Sequence, residues 1–258
     1  VGGVIENGFG AFSYFQERYS YAYQRQFTRK WPWKGVKNDA ARFDRAWRMD
    51  IENRYSYGHT PNPQSIGKAF PELREKVFYK SQSGHLYYQP HSHIGNLFDV
   101  TNPEFVTLLV EWAKKFYATN GEWRTPWKGS HAPNSEFFPF GQADTFIWNM
   151  RNKYSEPFLV PERSQIRSGI YSDVYADFYC RLARELAKEL PGKKLGVFFY
   201  HSYTMPPALK HDFPENLYGT VCMGNPAFVN HPVSRKAWAA TYGGWAKALG
   251  RGVGTYHY

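Results

Sequence analysis

Residues 172–203, SDVYADFYCRLARELAKELPGKKLGVFFYHSY, restrict the fold more than any other stretch of the chain. Val174, Phe178, Leu182 and Leu186 recur at helical spacing, Pro191-Gly192 stops the pattern, and 194–199 follows as a nearly unbroken apolar run. An amphipathic helix feeding a continuous apolar strand predicts half of a crossover unit in a parallel sheet buried on both faces. The order returns near the C-terminus, where a less regular helix over 233–249 containing Gly243-Gly244 leads into a strand at 252–255. Both strands run into polar, aromatic clusters: Tyr200-His201-Ser202-Tyr203 and Tyr256-His257-Tyr258. In parallel α/β folds, sites are built at that edge.

Upstream, Asn102 and Pro103 open the clearest helix, with Phe105, Leu108, Leu109, Trp112 and Phe116 on one face. Pro suits the first helical position, and Glu104 is favoured by the helix dipole. Short strands are predicted at 96–100, 135–140 and 217–223. A hairpin is expected around Ser83-Gly84, and extended structure up to Arg29 precedes a helix over 39–53. Ser172-Asp173 reads as the cap of the next helix. The irregular stretch 141–169 carries Phe146, Trp148, Tyr154 and Phe158, which predicts an ordered lid.

Alternating strand and helix over 258 residues predicts a single α/β domain spanning 1–258. Its natural architecture is a (β/α)8 TIM-barrel-like fold, complete or incomplete, because roughly 250 residues is the usual size of that fold. A doubly wound open sheet is the alternative. It lacks a phosphate fingerprint, since Gly250, Gly252 and Gly254 precede a strand rather than a helix. The chain opens without Met and stops on a strand, so it reads as a fragment of a longer protein. It shows no signal layout and no membrane-length apolar run, which predicts no membrane association. Cys180 and Cys222 read as packing residues.

The net charge of +10 points to an anionic partner, and the 19% aromatic content supplies flat faces for sugar rings. The basic residues form no dense stripe and accompany no recognition motif, so nucleic acid is not expected as a partner. No cofactor is expected either.

Selecting chemistry-bearing residues near strand ends and in the adjoining loops yields His59, His93, Glu136, Asp144, Trp148, Tyr200, His201, Tyr203, Asn225, Tyr256 and His257. Glycoside hydrolysis needs an acid and usually a second carboxylate, about 5 to 9.5 Å away depending on stereochemistry. Glu136 and Asp144 are the candidate pair, and the remaining residues are candidate sugar contacts. Asp99 reads as structural. His91 and His93, two apart, could share a face toward a metal; two ligands do not make a site, so no metal is assigned.

Three segments together carry a resemblance: residues 96–116, residues 172–207 (ending YHSYTMPP), and the run from Val221 through Trp245-Ala246-Lys247 to GTYHY. They resemble a bacterial family of uncharacterised, α-glucuronidase-like, glycoside-hydrolase-like TIM-barrel domains. That resemblance implies a barrel, a carbohydrate substrate and an exported or periplasmic protein. It aligns Gly141-Gln142-Ala143-Asp144 with a family segment of the type Ser-x-Asn-Asp, which favours Asp144 over Glu136. The family's following glycines and cysteine cluster are replaced here by Thr145-Phe146-Ile147-Trp148. The expected function is glycoside hydrolysis of an anionic or uronate-containing glycan. The alternatives are a non-catalytic carbohydrate-binding barrel and a metal-dependent hydrolase built on His91 and His93.

Overall fold

The structure is a computed structural model that describes residues 60–92, 94–123, 125–127, 136–142, 150–223 and 231–257. Expectations for the segment up to Arg29 and for 39–53 lie outside the described residues. In chain order the main elements are α1 (Pro63–Ala69), α2 (Arg74–Val77), α3 (Pro103–Ala118), β1 (Phe137–Phe140), α4 (Ser172–Glu189), β2 (Lys194–Phe199), β3 (Leu217–Met223), α5 (Pro232–Leu249) and β4 (Gly254–His257). Among the described residues, no helix is long and apolar enough to cross a membrane.

The four strands form one sheet in the order β1-β2-β3-β4, and every neighbouring pair is parallel. Parallel neighbours in sequence order require crossovers, which the helix-to-strand alternation predicted. Buried residues of α3 (Phe105, Leu109, Phe116), α4 (Val174, Phe178, Leu182, Leu186) and α5 (Trp245, Leu249) share one core with Phe138, Phe140, Leu195, Val197, Phe199, Leu217 and Val221. These strand residues are mutual register partners or lie two apart on one strand, so they occupy a single face. The three long helices therefore cover the same face of the sheet.

This architecture corrects the barrel expectation. The described strands make a small α/β fold whose sheet stays open, with β1 and β4 at its edges, whereas an eight-stranded barrel must close on itself. The physical reason lies in residues 77–100. The predicted strand at 96–100 adds no strand to the sheet and contributes one isolated antiparallel bridge, Phe78↔Phe98. Backbone bonds from Tyr79 to Leu97, Leu97 to Tyr87 and Tyr87 to Tyr79 hold this segment to a local turn, in which Gly84 adopts φ 85 and bonds Ser81. Local antiparallel pairing, cheap in loop closure, replaces the parallel pairing a barrel would require there.

Helix α3 begins as expected: Asn102 caps it by accepting from the Glu104 N–H at 3.0 Å, with Pro103 in the first turn. Helix α4 differs. Its cap residue is Tyr171, with no side-chain cap bond, and Asp173 lies inside the first turn with its carboxylate turned to another segment. Gly243-Gly244 does not break α5. A Cβ on Gly244 would meet Pro206 at 2.5 Å, so the missing side chain lets the helix seat on the β2–β3 connection, while Gly243 faces open space.

Candidate functional site

All four strands end on one edge, and the best-described part of that edge follows β2. Tyr200 leaves the strand extended, then residues His201–Tyr203 form one 3-10 turn. His201 has φ 48, a left-handed conformation uncommon for any residue with a side chain, although His is among those that adopt it. The His201 carbonyl accepts from the Thr204 N–H and, at 2.9 Å, from the Thr204 hydroxyl, which closes the turn. The imidazole lies edge-on against the Tyr200 ring at 3.7 Å between centroids. Both side chains are half-buried, so they remain accessible from the edge.

The turn is held from three sides. The Tyr171 N–H donates to Ser202 O at 3.0 Å, the Met205 N–H donates to Ser168 O at 2.8 Å, and Trp245 Nε1 donates to Thr204 O at 2.7 Å. Trp245 in turn stacks on Phe199 with 3.5 Å between centroids. Arg163 donates to the Pro206 carbonyl, binding the 150–169 segment to this connection. That segment contains short 3-10 turns at Glu156–Phe158 and Pro161–Arg163, and the Met150 N–H donates to Tyr171 Oη at 2.8 Å. Phe158 packs on the core near His211 and Tyr154 is exposed, so only one of the two described lid aromatics is part of the packing.

Beside the turn, Tyr203 is buried and stacks face to face on Tyr175 with 3.7 Å between centroids. Gln142, just past the end of β1, is also buried; its amide donates to Asn96 O at 3.1 Å and its oxygen lies 3.4 Å from Tyr175 Oη. Burial pushes the Tyr175 and Tyr203 phenols well above their usual range, reinforced by Asp99 and Tyr171 at the first and by neighbouring tyrosines at the second. They are neutral hydrogen-bonding groups at physiological pH, not bases or nucleophiles.

Glu136 does not join this edge. It precedes β1 and pairs with Lys194 at 2.9 Å, at the opposite end of the sheet. The four residues of β1 span about 13 Å at roughly 3.3 Å each, which separates Glu136 from the C-terminal edge of the sheet. Lys194 also lies over Phe137 and Tyr218, so Glu136 belongs to a cluster of cations and aromatic rings there. Asp144, Trp148, Asn225, His59 and His93 lie outside the described residues. For Tyr256 and His257 the backbone is described: they take the β4 register positions opposite Cys222 and Met223.

Sequence reasoning missed the Asp173 carboxylate, which is 1% exposed. It accepts from the Ala208 N–H at 3.0 Å and the Leu209 N–H at 2.7 Å, and pairs with His211 Nε2 at 3.1 Å. It thereby ties the β2–β3 connection to α4. Helix-cap preference explained Asp173 locally and concealed its partner 38 residues on. Burial alone would raise its pKa, but the bonds from His211, Ala208 and Leu209 outweigh that and hold it below the usual carboxylate range. Asp99 shows the opposite balance: burial raises its pKa, and bonds from Thr101 and Asn102 and the Arg181 charge offset this only in part. Its carboxylate accepts from Thr101, which supports the structural reading.

Compared with protein-family models, curated proteins and solved structures, the chain matches none. The functional reading therefore rests on the residues and geometry of the edge itself.

Proposed function

We propose that this protein binds a carbohydrate at the C-terminal edge of its parallel sheet, with Tyr200 and His201 as the principal contacts. The observation that carries the reading is the His201 turn. A non-glycine residue in a left-handed conformation costs about 1 to 2 kcal/mol, and seven backbone carbonyls or N–H groups within 200–205 bond to hold it. A flat phenol beside an imidazole offers a sugar ring a stacking face together with donors and acceptors at its rim. The excess positive charge of the chain favours an acidic glycan, such as a uronate-containing one.

The reading is tested by calorimetric titration of the protein with neutral and uronate-bearing oligosaccharides. Binding of at least one, weakened at raised salt if the glycan is acidic, is the expected result; no binding to any of them overturns the reading.

A second reading is glycoside hydrolysis. Asp144 favours it as a carboxylate two residues after Gln142 in the chain. Glu136, at the far end of β1 and paired with Lys194, is not assigned a role in it. Release of reducing ends that disappears in Asp144→Asn and persists in Glu136→Gln supports hydrolysis; no release by the wild type rejects it.

A further inference from the structure

The 79–97 turn reaches the same edge of the sheet, because Gln142, just past the end of β1, donates to Asn96 O at 3.1 Å. Within that turn the His85 imidazole meets the Tyr87 ring edge-on at 4.8 Å between centroids, and the Tyr87 ring lies 5.8 Å from that of Tyr79. Tyr79 Oη accepts from the Arg151 N–H at 3.1 Å, so Arg151 leaves the chain one tyrosine ring beyond Tyr87. His85 and Arg151 are exposed and Tyr87 is half-buried. Among the described residues, the Arg151 guanidinium makes no ion pair and no hydrogen bond, whereas Arg163 is bound to the Pro206 carbonyl and Arg181 to Asp177 and the Val100 carbonyl. Tyr171 connects this group to the His201 turn: its N–H donates to Ser202 O, and its hydroxyl accepts from Met150, the residue before Arg151. Burial raises the Tyr171 pKa, the Met150 bond and the Arg151 charge oppose this, and Tyr79 and Tyr87 reinforce it, so the guanidinium and both rings act on one phenol.

We infer that Arg151, with the Tyr87–His85 ring pair beside it, forms a second subsite along this edge that binds the carboxylate of an acidic sugar, and that the ligand is therefore a uronate-containing oligosaccharide rather than a neutral one. The inference rests on the carbohydrate reading above and names its substrate class. A guanidinium presents paired donors in the plane that a carboxylate needs, and such charge-assisted pairs are stronger than bonds to a neutral hydroxyl. Arg151 breaks no internal bond to make that contact. Tyr87, held between Tyr79 and His85, offers the sugar ring a fixed face, and the His85 nitrogens lie at its rim. The overall charge of +10 draws an anion to the molecule without choosing a place for it, and Arg151 supplies the place.

Arg151→Gln isolates the charge, because the backbone bond to Tyr79 does not depend on the side chain. Titrations with tetragalacturonate and with xylotetraose are compared between wild type and variant, with thermal unfolding of the same samples. The expected result is an unchanged melting temperature, binding of tetragalacturonate weakened by about tenfold or more, and any binding of xylotetraose altered by less than about twofold. Tyr87→Leu should weaken both oligosaccharides, since a ring face does not read charge. Unaltered affinity of Arg151→Gln for tetragalacturonate overturns the inference, and so does an equal loss for the two ligands, which would make Arg151 a support of the site's shape. A wild type that binds xylotetraose and not tetragalacturonate sinks the inference and leaves the carbohydrate reading standing; a wild type that binds neither sinks both.

Discussion

His211 Nε2 lies 3.1 Å from Asp173 Oδ1, with both side chains buried, so a helix start and a loop 38 residues later are joined by one carboxylate. The same carboxylate accepts two backbone N–H groups from 208–209, so its removal leaves three donors without their acceptor. Asp173→Ala should cost about 3 kcal/mol of stability, read as a fall in the urea midpoint with unchanged slope. A change below about 0.5 kcal/mol would show that the loop is held by other contacts.

The two perturbed aspartates predict opposite pH dependences. The folded pKa of Asp173 is depressed, so its stabilisation is present above the unfolded value of about 3.9 and is lost as pH falls through the folded value. The folded pKa of Asp99 is raised, so its favourable term is complete below about 3.9 and fades as pH rises through the folded value. Relative to wild type, Asp173→Asn should flatten the acid limb of the stability profile below about pH 4. Asp99→Asn should remove a decline on the neutral side of it. Unfolding midpoints measured from pH 3 to 7 check both signs.

The glycine pair of α5 should respond asymmetrically. Gly243 has nothing within 4 Å of an added Cβ, so Gly243→Ala gains helix propensity and should stabilise by about 0.5 to 1 kcal/mol. Gly244→Ala drives a methyl into Pro206 and should destabilise by about 1 to 3 kcal/mol. Equal melting temperatures for the two variants would contradict the packing of α5 on the β2–β3 connection.

The legible part of this fold was the part written in local periodicity. The stripes Val174, Phe178, Leu182, Leu186 and Phe105, Leu109, Trp112, Phe116 identified two helices, and the apolar run through Phe199 identified the strand that follows the second, because burial imposes those spacings directly. Strand number was not legible: the segment 96–100 has strand composition, yet its partners are Tyr79 and Tyr87 in a local turn, and pairing partners leave no mark in periodicity. The position of Tyr200-His201 directly after a strand was legible from the apolar run before it. Asp173 was not, since it sits on a helix and pairs with His211, 38 residues along the chain. Glu136 was misplaced because composition does not reveal which end of a strand a flanking residue occupies.

Glu136→Gln separates surface chemistry from catalysis. The Glu136–Lys194 pair is about one-third exposed on both sides, and such pairs contribute less than about 1 kcal/mol. The variant should unfold within about 0.5 kcal/mol of wild type and bind glycan unchanged. A loss of affinity would place this carboxylate in the site despite its distance from the edge.

The central claim, that the Tyr200-His201 turn is shaped for a sugar, is tested most directly by His201→Gly. Glycine adopts φ 48 without strain, so the substitution keeps the turn and removes only the imidazole. Calorimetry and thermal unfolding on the same samples should show a melting temperature unchanged or raised and a loss of glycan affinity of at least about tenfold. A lowered melting temperature with full affinity would contradict the account, by showing that His201 is there for the fold.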